Sequence, residues 1–176
     1  LEAVPVQVEV HLRNGQPRFT IIGLGGAAVR ESRERVLTAL EHCGFSPPEQ
    51  ILVNLAPADI RKESTAFDLP IAVGILTAMG VVPRDVTGGG VYCGELSLTG
   101  ELKPLTGVVA HALHALTSGA DRIFIPAING AEAAMVGELT VVPVESLADL
   151  LLMLKGERVP SIPRADEVSI PIERGA

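Results

Sequence analysis

The stretch from Asn54 to Ala72 reads Asn-Leu-Ala-Pro-Ala-Asp-Ile-Arg-Lys-Glu-Ser-Thr-Ala-Phe-Asp-Leu-Pro-Ile-Ala. It follows a short apolar run, residues 51–53, that is typical of a strand, and it leads into a second apolar run that begins at Phe67. Charges between two buried elements cost desolvation energy unless they are paired or used, so this loop is predicted to be a functional feature. The charged residues of this candidate interaction loop are Asp59, Arg61, Lys62 and Glu63.

Asp68 is predicted to start a helix and is included with the candidate interaction loop. An Asp side chain can accept hydrogen bonds from free amides at a helix start, and Pro70 is tolerated in the first turn. The apolar run from Leu69 to Val82 is too short to cross a bilayer and contains Pro70, Gly74 and Gly80. It therefore predicts a core helix and no contact with a membrane.

The residues before this stretch predict two strands and one long helix. Valines alternate with other residues from Val4 to Val10, and Asn14-Gly15 precedes the apolar run of residues 18–22. This pattern predicts an antiparallel hairpin over residues 4–22. Apolar residues at helical spacing then predict a helix from Ala27 to Cys43 that ends at Gly44.

The residues after this stretch continue the alternation of strands and helices. The predicted strands cover residues 91–98, 122–125 and 139–142, and the predicted helices cover residues 108–117, 129–136 and 146–154. Together they predict an α+β fold with a mixed sheet and helices packed on it. We expect one domain over residues 1–155, followed by a linker over residues 156–176, where proline and charge are frequent.

Composition excludes several classes of function. The 176-residue chain is 47% hydrophobic, so it can bury a core. Its net charge of −7 and aromatic content of 3% argue against a basic groove with stacking rings for single-stranded nucleic acid. Cys43 and Cys93 lie far apart without metal-ligand spacing, which predicts structural thiols in a cytoplasmic protein.

Three further motifs carry little functional weight. Residues 23–28 match the dinucleotide-binding pattern Gly-x-Gly-x-x-Ala, but the predicted hairpin and the lack of a carboxylate after residues 50–55 favour an ordinary tight turn. His111 and His114 share a helix face without a third ligand, so we expect no bound metal. The chain has no Gly-x-x-x-x-Gly-Lys-Ser/Thr loop for ATP phosphates, and no cofactor is predicted within it.

A charge run from Arg30 to Arg35 lies within the first predicted helix. Arg30 and Glu34, like Glu31 and Arg35, are four residues apart and can form ion pairs along one helix face. A solvated helix face is the favoured interpretation, and a contact with a partner is the alternative.

Three segments together resemble the N-terminal domain of the magnesium-chelatase-like AAA+ ATPases, a family that includes the competence proteins of the ComM and YifB type. The segments are Phe19 to Leu24 leading into residues 30–36, residues 54–72 of the opening stretch, and Gly94 to Gly100. The resemblance runs from about residue 4 to residue 155.

The resemblance implies the fold of the proteolytic domain of Lon proteases, which is also that of ribosomal protein S5 domain 2. A Ser-Lys peptidase of that kind needs a serine at a helix start and a lysine that can accept its proton. The resemblance places the serine at Asp68 and the lysine just after Gly107, where residues 108–111 read Val-Val-Ala-His. We therefore expect no catalytic residues; Ser64 with Lys62 or Lys103 is the alternative pair.

The resemblance also implies a role for the domain. It predicts a non-catalytic accessory domain that helps to assemble an AAA+ ring or to guide DNA, with its own ATPase domain and neighbouring subunits as partners. ATP and Mg²⁺ are implied for that ATPase domain, and DNA is implied as a partner of the full-length protein. A Lon-like peptidase and a metal-chelatase accessory subunit are the alternatives.

Overall fold

Strands and helices alternate along residues 5–62 and 64–163, the part of the chain that the computed structural model describes. The helices are Ala27–His42 (α1), Asp68–Ala78 (α2), Arg84–Thr87 (α3), Val108–Thr117 (α4), Gly130–Ala134 (α5) and Leu147–Leu154 (α6). The strands are Gln7–Arg13 (β1), Arg18–Ile22 (β2), Gln50–Ala56 (β3), Gly90–Tyr92 (β4), Glu95–Leu96 (β5), Leu102–Lys103 (β6), Arg122–Pro126 (β7) and Thr140–Val144 (β8). Short 3₁₀ turns at Thr65–Phe67 and Ala127–Asn129 precede α2 and α5. The predicted α+β class is confirmed.

The first sheet has the order β1-β3-β2. Strand β3 pairs with β1 in antiparallel register and with β2 in parallel register, so β2, α1 and β3 form a parallel β-α-β unit. The predicted hairpin is wrong, because β1 and β2 lie on opposite sides of β3; Val4 of that prediction lies outside the described residues. The buried residues Ile51, Val53 and Leu55 make β3 the most apolar of the three strands. Because β3 is the central strand, both of its edges are hydrogen-bonded to a neighbouring strand.

The second sheet is parallel, with the order β4-β7-β8, and β5 and β6 form a separate two-stranded ribbon. Residues 5–62 and 64–163 thus form three small sheets where one mixed sheet was expected. The predicted strand over residues 91–98 is divided between β4 and β5 at Gly94. The Gly94 N–H donates to the Ala66 carbonyl, and the Gly94 carbonyl accepts from the Leu69 N–H, which turns the chain onto the start of α2.

The second sheet has a hydrophobic cluster on each face. Phe124, Val142 and Val144 belong to the cluster that also includes β3, α1, α2 and α6. Ile123 and Ile125 belong to the cluster with α4 and α5. Successive residues of a strand point to opposite faces, so β7 serves both clusters.

The predicted helices are confirmed, although α2 ends at Ala78, four residues before the predicted end at Val82. Helix α1 ends at His42, and the chain reverses at Gly44, whose φ of 88° lies in the left-handed region. Helix α6 starts after Ser146, whose hydroxyl accepts from the Asp149 N–H. No helix among the described residues is long and apolar enough to cross a membrane.

The predicted linker over residues 156–176 is described only as far as Pro163. Its first residues return toward α6, because Arg158 Nη1 donates to Asp149 Oδ1. The remainder of the predicted linker lies outside the described residues, and the domain boundary stays a prediction.

We predict that Gly23→Ala destabilises the fold far more than Gly44→Ala. Both glycines have positive φ, 105° and 88°, but a Cβ on Gly23 would lie 2.1 Å from the Leu55 carbonyl oxygen, whereas nothing lies within 4 Å of a Cβ on Gly44. Backbone strain alone costs about 1 kcal/mol, and the clash with a central strand should raise the loss at Gly23 above about 3 kcal/mol. Urea unfolding measures both values; equal losses would contradict the close packing of this turn on β3.

Candidate functional site

The structure separates the five residues of the candidate interaction loop into a buried and an exposed set. Lys62 is only 3% exposed and Asp68 is fully buried. Asp59 and Arg61 are exposed, while Glu63 lies outside the described residues. The positions of Lys62 and Asp68 therefore do not support the expectation that they are available to a partner. Of the four residues of the candidate interaction loop that the structure describes, only Asp59 and Arg61 lie at the surface.

Lys62 holds two loops together through its ammonium group. Its Nζ donates to the carbonyl oxygens of Gly23 at 2.6 Å and Leu55 at 3.0 Å, and also to that of Pro57. A lysine ammonium has three hydrogens, so all of them are used. A neutral amine could donate only two hydrogens, which means that this arrangement requires the charged form.

The Lys62 main chain strengthens the same connection. Its N–H donates to the Leu24 carbonyl, and its carbonyl accepts from the Gly26 N–H at 2.8 Å. We call the two joined segments, residues 22–26 and 57–62, the double loop. The double loop fixes the turn between β2 and α1 against the connection that leaves β3.

The double loop changes the interpretation of the glycine motif at residues 23–28. The motif does lie in a parallel β-α-β unit, contrary to the sequence-based prediction of a hairpin. However, the Gly26 N–H, which would face a phosphate in a dinucleotide site, donates to Lys62 instead. Strand β3 also ends in Asn54-Leu55-Ala56 without the carboxylate that binds a ribose.

The rim of the double loop combines apolar and charged side chains. Ile22 is 47% exposed and Leu24 is 53% exposed, and Asp59 and Arg61 are also exposed. Leu24 has a φ of 56°, the one positive φ of a non-glycine residue in the described part of the chain. A left-handed leucine costs about 1 kcal/mol or more, and such strain is concentrated at sites of contact and function.

The side chain of Asp68 connects α2 to α1 through hydrogen bonds. Its carboxylate accepts from Ser32 Oγ at 2.5 Å, from Arg35 Nε at 2.6 Å and from Arg35 Nη2 at 3.1 Å. The Leu96 N–H also donates to it at 3.0 Å. Asp68 starts α2 as predicted, but its side chain does not cap that helix; it is a bidentate partner of an arginine on another helix.

The charge run on α1 is therefore divided between surface and interior. Arg35 lies 3.7 Å from Glu31, as the helical spacing predicts, but its guanidinium turns inward to Asp68. The hydrogen bond with Asp68 raises the pKa of Arg35 although burial opposes that change. Sequence reasoning missed this pair; the available signal was Ser32, a polar residue within the apolar stripe formed by Val29 and Val36.

The positions that the resemblance indicated for a Ser-Lys dyad hold neither a serine nor a lysine. Asp68, about where the resemblance placed the serine, is a buried carboxylate, and Val108, also buried, begins α4 where the lysine was expected. Ser64 is the cap of the 3₁₀ turn before α2, and its hydroxyl accepts from the Ala66 N–H. Lys62 is held as described above, and Lys103 is largely exposed, 3.8 Å from Glu95.

Other reactive side chains do not assemble into a metal site within the described residues. No group of three or more His, Cys, Asp or Glu with ligand geometry occurs among residues 5–62 and 64–163. Burial and the nearby His114 lower the pKa of His111. Burial raises the pKa of Cys93 to about 12, so this thiol is unreactive, and both cysteines are free of disulfides.

We predict that Asp68→Ala destabilises the chain by about 3–5 kcal/mol, because it leaves the Arg35 guanidinium, whose side chain is 16% exposed, without its carboxylate. Replacing both partners, Arg35→Met with Asp68→Leu, should lose less than the sum of Arg35→Met and Asp68→Leu measured separately, since no buried charge remains unpaired. Urea unfolding of the four proteins completes the double-mutant cycle. Additive losses would contradict a direct coupling between α1 and α2.

Comparison with known proteins shows the family of the chain. The family model described as subunit ChlI of Mg-chelatase matches residues 8–129. The chain is 38% identical to the competence protein ComM of Haemophilus influenzae, over 96% of this chain and 33% of that protein. It is 33% identical to YifB of Salmonella typhimurium, over 97% of this chain and 34% of that protein, and 30% identical to Lon protease 2 of Bacillus subtilis, over 68% and 22%. The chain thus spans about one third of the length of its ComM and YifB relatives. With a family model that matches most of its residues and relatives that match nearly all of them, the chain belongs to the magnesium-chelatase-like family that includes ComM and YifB.

Proposed function

We propose that this chain is a non-catalytic accessory domain of a magnesium-chelatase-like AAA+ ATPase that processes DNA in the cytoplasm. Its role is to contact the ATPase domain or a neighbouring subunit through the rim of the double loop, and so to aid ring assembly or the guidance of DNA. ATP and Mg²⁺ belong to the ATPase domain, outside this chain. The name of the ComM relative, a competence protein, supports a role in natural transformation. Branch migration is the DNA-processing step that we propose for the whole protein.

The observation that carries this proposal is the use of Lys62. Its ammonium donates to two main-chain carbonyls of the double loop, those of Gly23 and Pro57, and to that of Leu55 on β3, so it has no lone pair with which to accept a proton from Ser64. Asp68 is likewise enclosed by Ser32, Arg35 and Leu96. Lys62 and Asp68, the charged residues near the expected peptidase dyad, thus have structural roles. Their contacts fix the shape of the exposed rim.

The composition of the rim supports contact with a protein surface. Leu24 is held in a left-handed conformation with about half of its surface exposed. Ile22, Asp59 and Arg61 surround it on the same two segments. Apolar side chains bordered by charges are typical of an interface, where the apolar part is desolvated and the charges select the partner.

We predict that Arg61→Glu in the full-length protein weakens ring assembly and DNA-stimulated ATP hydrolysis about tenfold, since charge reversal at an interface costs on the order of 1.4 kcal/mol or more. The companion variant Leu24→Gly should have the same effect while leaving the free energy of unfolding unchanged or higher, because glycine relieves the strain at this φ. Mass photometry with a non-hydrolysable ATP analogue and a coupled ATPase assay are the measurements.

The matched control is Lys155→Glu, which makes the same change of charge at an exposed residue that follows α6. Assembly and ATP hydrolysis should be unaffected by it. If Arg61→Glu and Leu24→Gly behave like this control, the double loop does not contact the ATPase ring.

The similarity to Lon protease 2 makes peptidase activity the rival function, and it has a direct test. We predict that a fluorophosphonate probe does not label Ser64 and that casein stays intact, because Lys62 is held as an ammonium and Lys103 is at the surface. Mass spectrometry of the probed chain beside Ser64→Ala is the measurement. A probe adduct that is present on Ser64 and absent from the variant would overturn the non-catalytic assignment.

A further inference from the structure

The chain turns back onto the domain after α6. Gly156 has a φ of 74°, in the left-handed region that favours glycine. The N–H groups of Glu157 and Arg158 both donate to the Leu152 carbonyl, at 2.8 and 3.2 Å, so the chain reverses its direction at the helix end. We call residues 156–163 the strap; they are the described part of the predicted linker.

The first anchor of the strap is an ion pair with the start of α6. Arg158 Nη1 donates to Asp149 Oδ1, and the Asp149 side chain is only 5% exposed. The other carboxylate oxygen, Oδ2, accepts from the Glu145 N–H at 3.1 Å. Because Asp149 lies in the first turn of α6 and Arg158 follows its last turn, the strap runs back along most of this helix.

The second anchor is a close contact with the start of α5. A Cβ on Gly130, the first residue of α5, would lie 3.1 Å from the Pro143 ring of β8 and 3.8 Å from the Pro163 ring of the strap. The glycine thus lets both prolines approach the main chain of α5. Helices α5 and α6 belong to different hydrophobic clusters, so the strap joins the two clusters at the surface.

Between its two anchors the strap is loosely packed. A cavity of about 290 Å³ is lined by Ser161 and Ile162 of the strap and by Pro143 and Met153 of the domain. Val159 is 89% exposed and Ile162 is 50% exposed. The strap is therefore held by its two ends more than by burial of apolar surface, and a segment that is attached by few contacts opens without unfolding of the whole domain.

Asp149 can lose its arginine without disturbing the core. Its carboxylate borders the cavity, so water reaches it when the strap moves away. Asp68, by contrast, is enclosed between two helices. The start of α6 also keeps its cap, because the Asp149 N–H donates to Ser146 Oγ independently of the strap. The domain thus has an attached and a released arrangement of the strap available with α6 unchanged.

Release of the strap changes the length of the connection between this domain and the rest of the chain. The eight residues 156–163, fully extended at about 3.3 Å per residue, reach about 26 Å from the end of α6. In the attached arrangement they lie along the domain and add nothing to the linker. A longer tether lowers the effective concentration of one end at the other, about threefold for each doubling of its length.

We propose that the strap is a releasable part of the linker, and that its Arg158–Asp149 anchor keeps the linker short and so holds the rim of the double loop close to the ATPase ring. The effect on the ring rests on the proposed function, because it requires that the rim contacts the ring. The attachment of the strap does not rest on that function, and it is tested on the 176-residue chain alone.

Hydrogen–deuterium exchange of the 176-residue chain measures the attachment. The amides of Glu157 and Arg158 are bonded to the Leu152 carbonyl, so Arg158→Gln should raise their exchange rates about tenfold, while β8 and α6 keep theirs. The matched control is Lys155→Gln, which removes the same charge from an exposed residue beside the strap and should leave the rates unchanged. Equal rates in the original chain and in Arg158→Gln would overturn the proposal. Faster exchange throughout α6 and β8 would also overturn it, because the anchor would then support the domain itself.

Assembly of the full-length protein measures the effect on the linker. Arg158→Gln should weaken ring assembly about threefold by mass photometry. Insertion of a Gly-Ser segment as long as the strap after Pro163 should have the same effect, because both changes lengthen the linker. Lys155→Gln should assemble like the original protein. Normal assembly of the insertion variant or of Arg158→Gln would contradict a role of linker length.

The Arg61→Glu variant separates failure of this proposal from failure of the proposed function. If Arg61→Glu weakens assembly and Arg158→Gln does not, the strap has no role in the ring while the rim keeps its role. If neither variant affects assembly although Arg158→Gln speeds exchange of the strap, the proposed function fails and the effect of the strap on the ring fails with it.

Discussion

The ammonium group of Lys62 determines the form of the surface that we assign to partner binding. Three carbonyls, two from the double loop and one from β3, converge on a nitrogen of an almost fully buried side chain. No residue other than a charged lysine places three hydrogens at one point on a flexible stem. Its main chain continues the contact to Leu24 and Gly26. The turn before α1 and the segment after β3 are therefore held together, and the strained conformation of Leu24 is maintained by this connection.

The ion pair of Asp68 and Arg35 connects the first two long helices, α2 and α1, in the same way as Lys62 connects the two segments of the double loop. A fully buried carboxylate is tolerated because Ser32, Arg35 and the Leu96 N–H satisfy it together. Breaking such a pair is costly, whereas an apolar replacement of both members is often well tolerated, so the pair defines the arrangement of α1 and α2 more than it adds to stability. The chain is thus similar to a Lon protease, yet Lys62 and Asp68, the polar residues near the expected dyad, are bonded to structural partners.

Several parts of this structure were predictable from the sequence because their signals are local. The periodicity of α1 gave its bounds within one residue, and the apolar run of α2 gave its start within one residue but its end four residues too late, at Val82 instead of Ala78. The joint motifs of residues 19–36, 54–72 and 94–100 identified the family, which the comparisons confirm. The hairpin prediction was wrong because the Asn14-Gly15 signal describes a turn and does not indicate that β3 would enter between the two strands.

The sequence by itself determined the α+β class, the main helices, the family and the list of charged residues between Asn54 and Ala72. Only the tertiary structure decided which of those charges face outward. Burial of Lys62 and Asp68 depends on partners 5 to 39 residues away, such as Pro57, Gly23 and Arg35. Spacing along a chain specifies neighbours within a helix or strand, whereas contacts between elements depend on how whole surfaces pack.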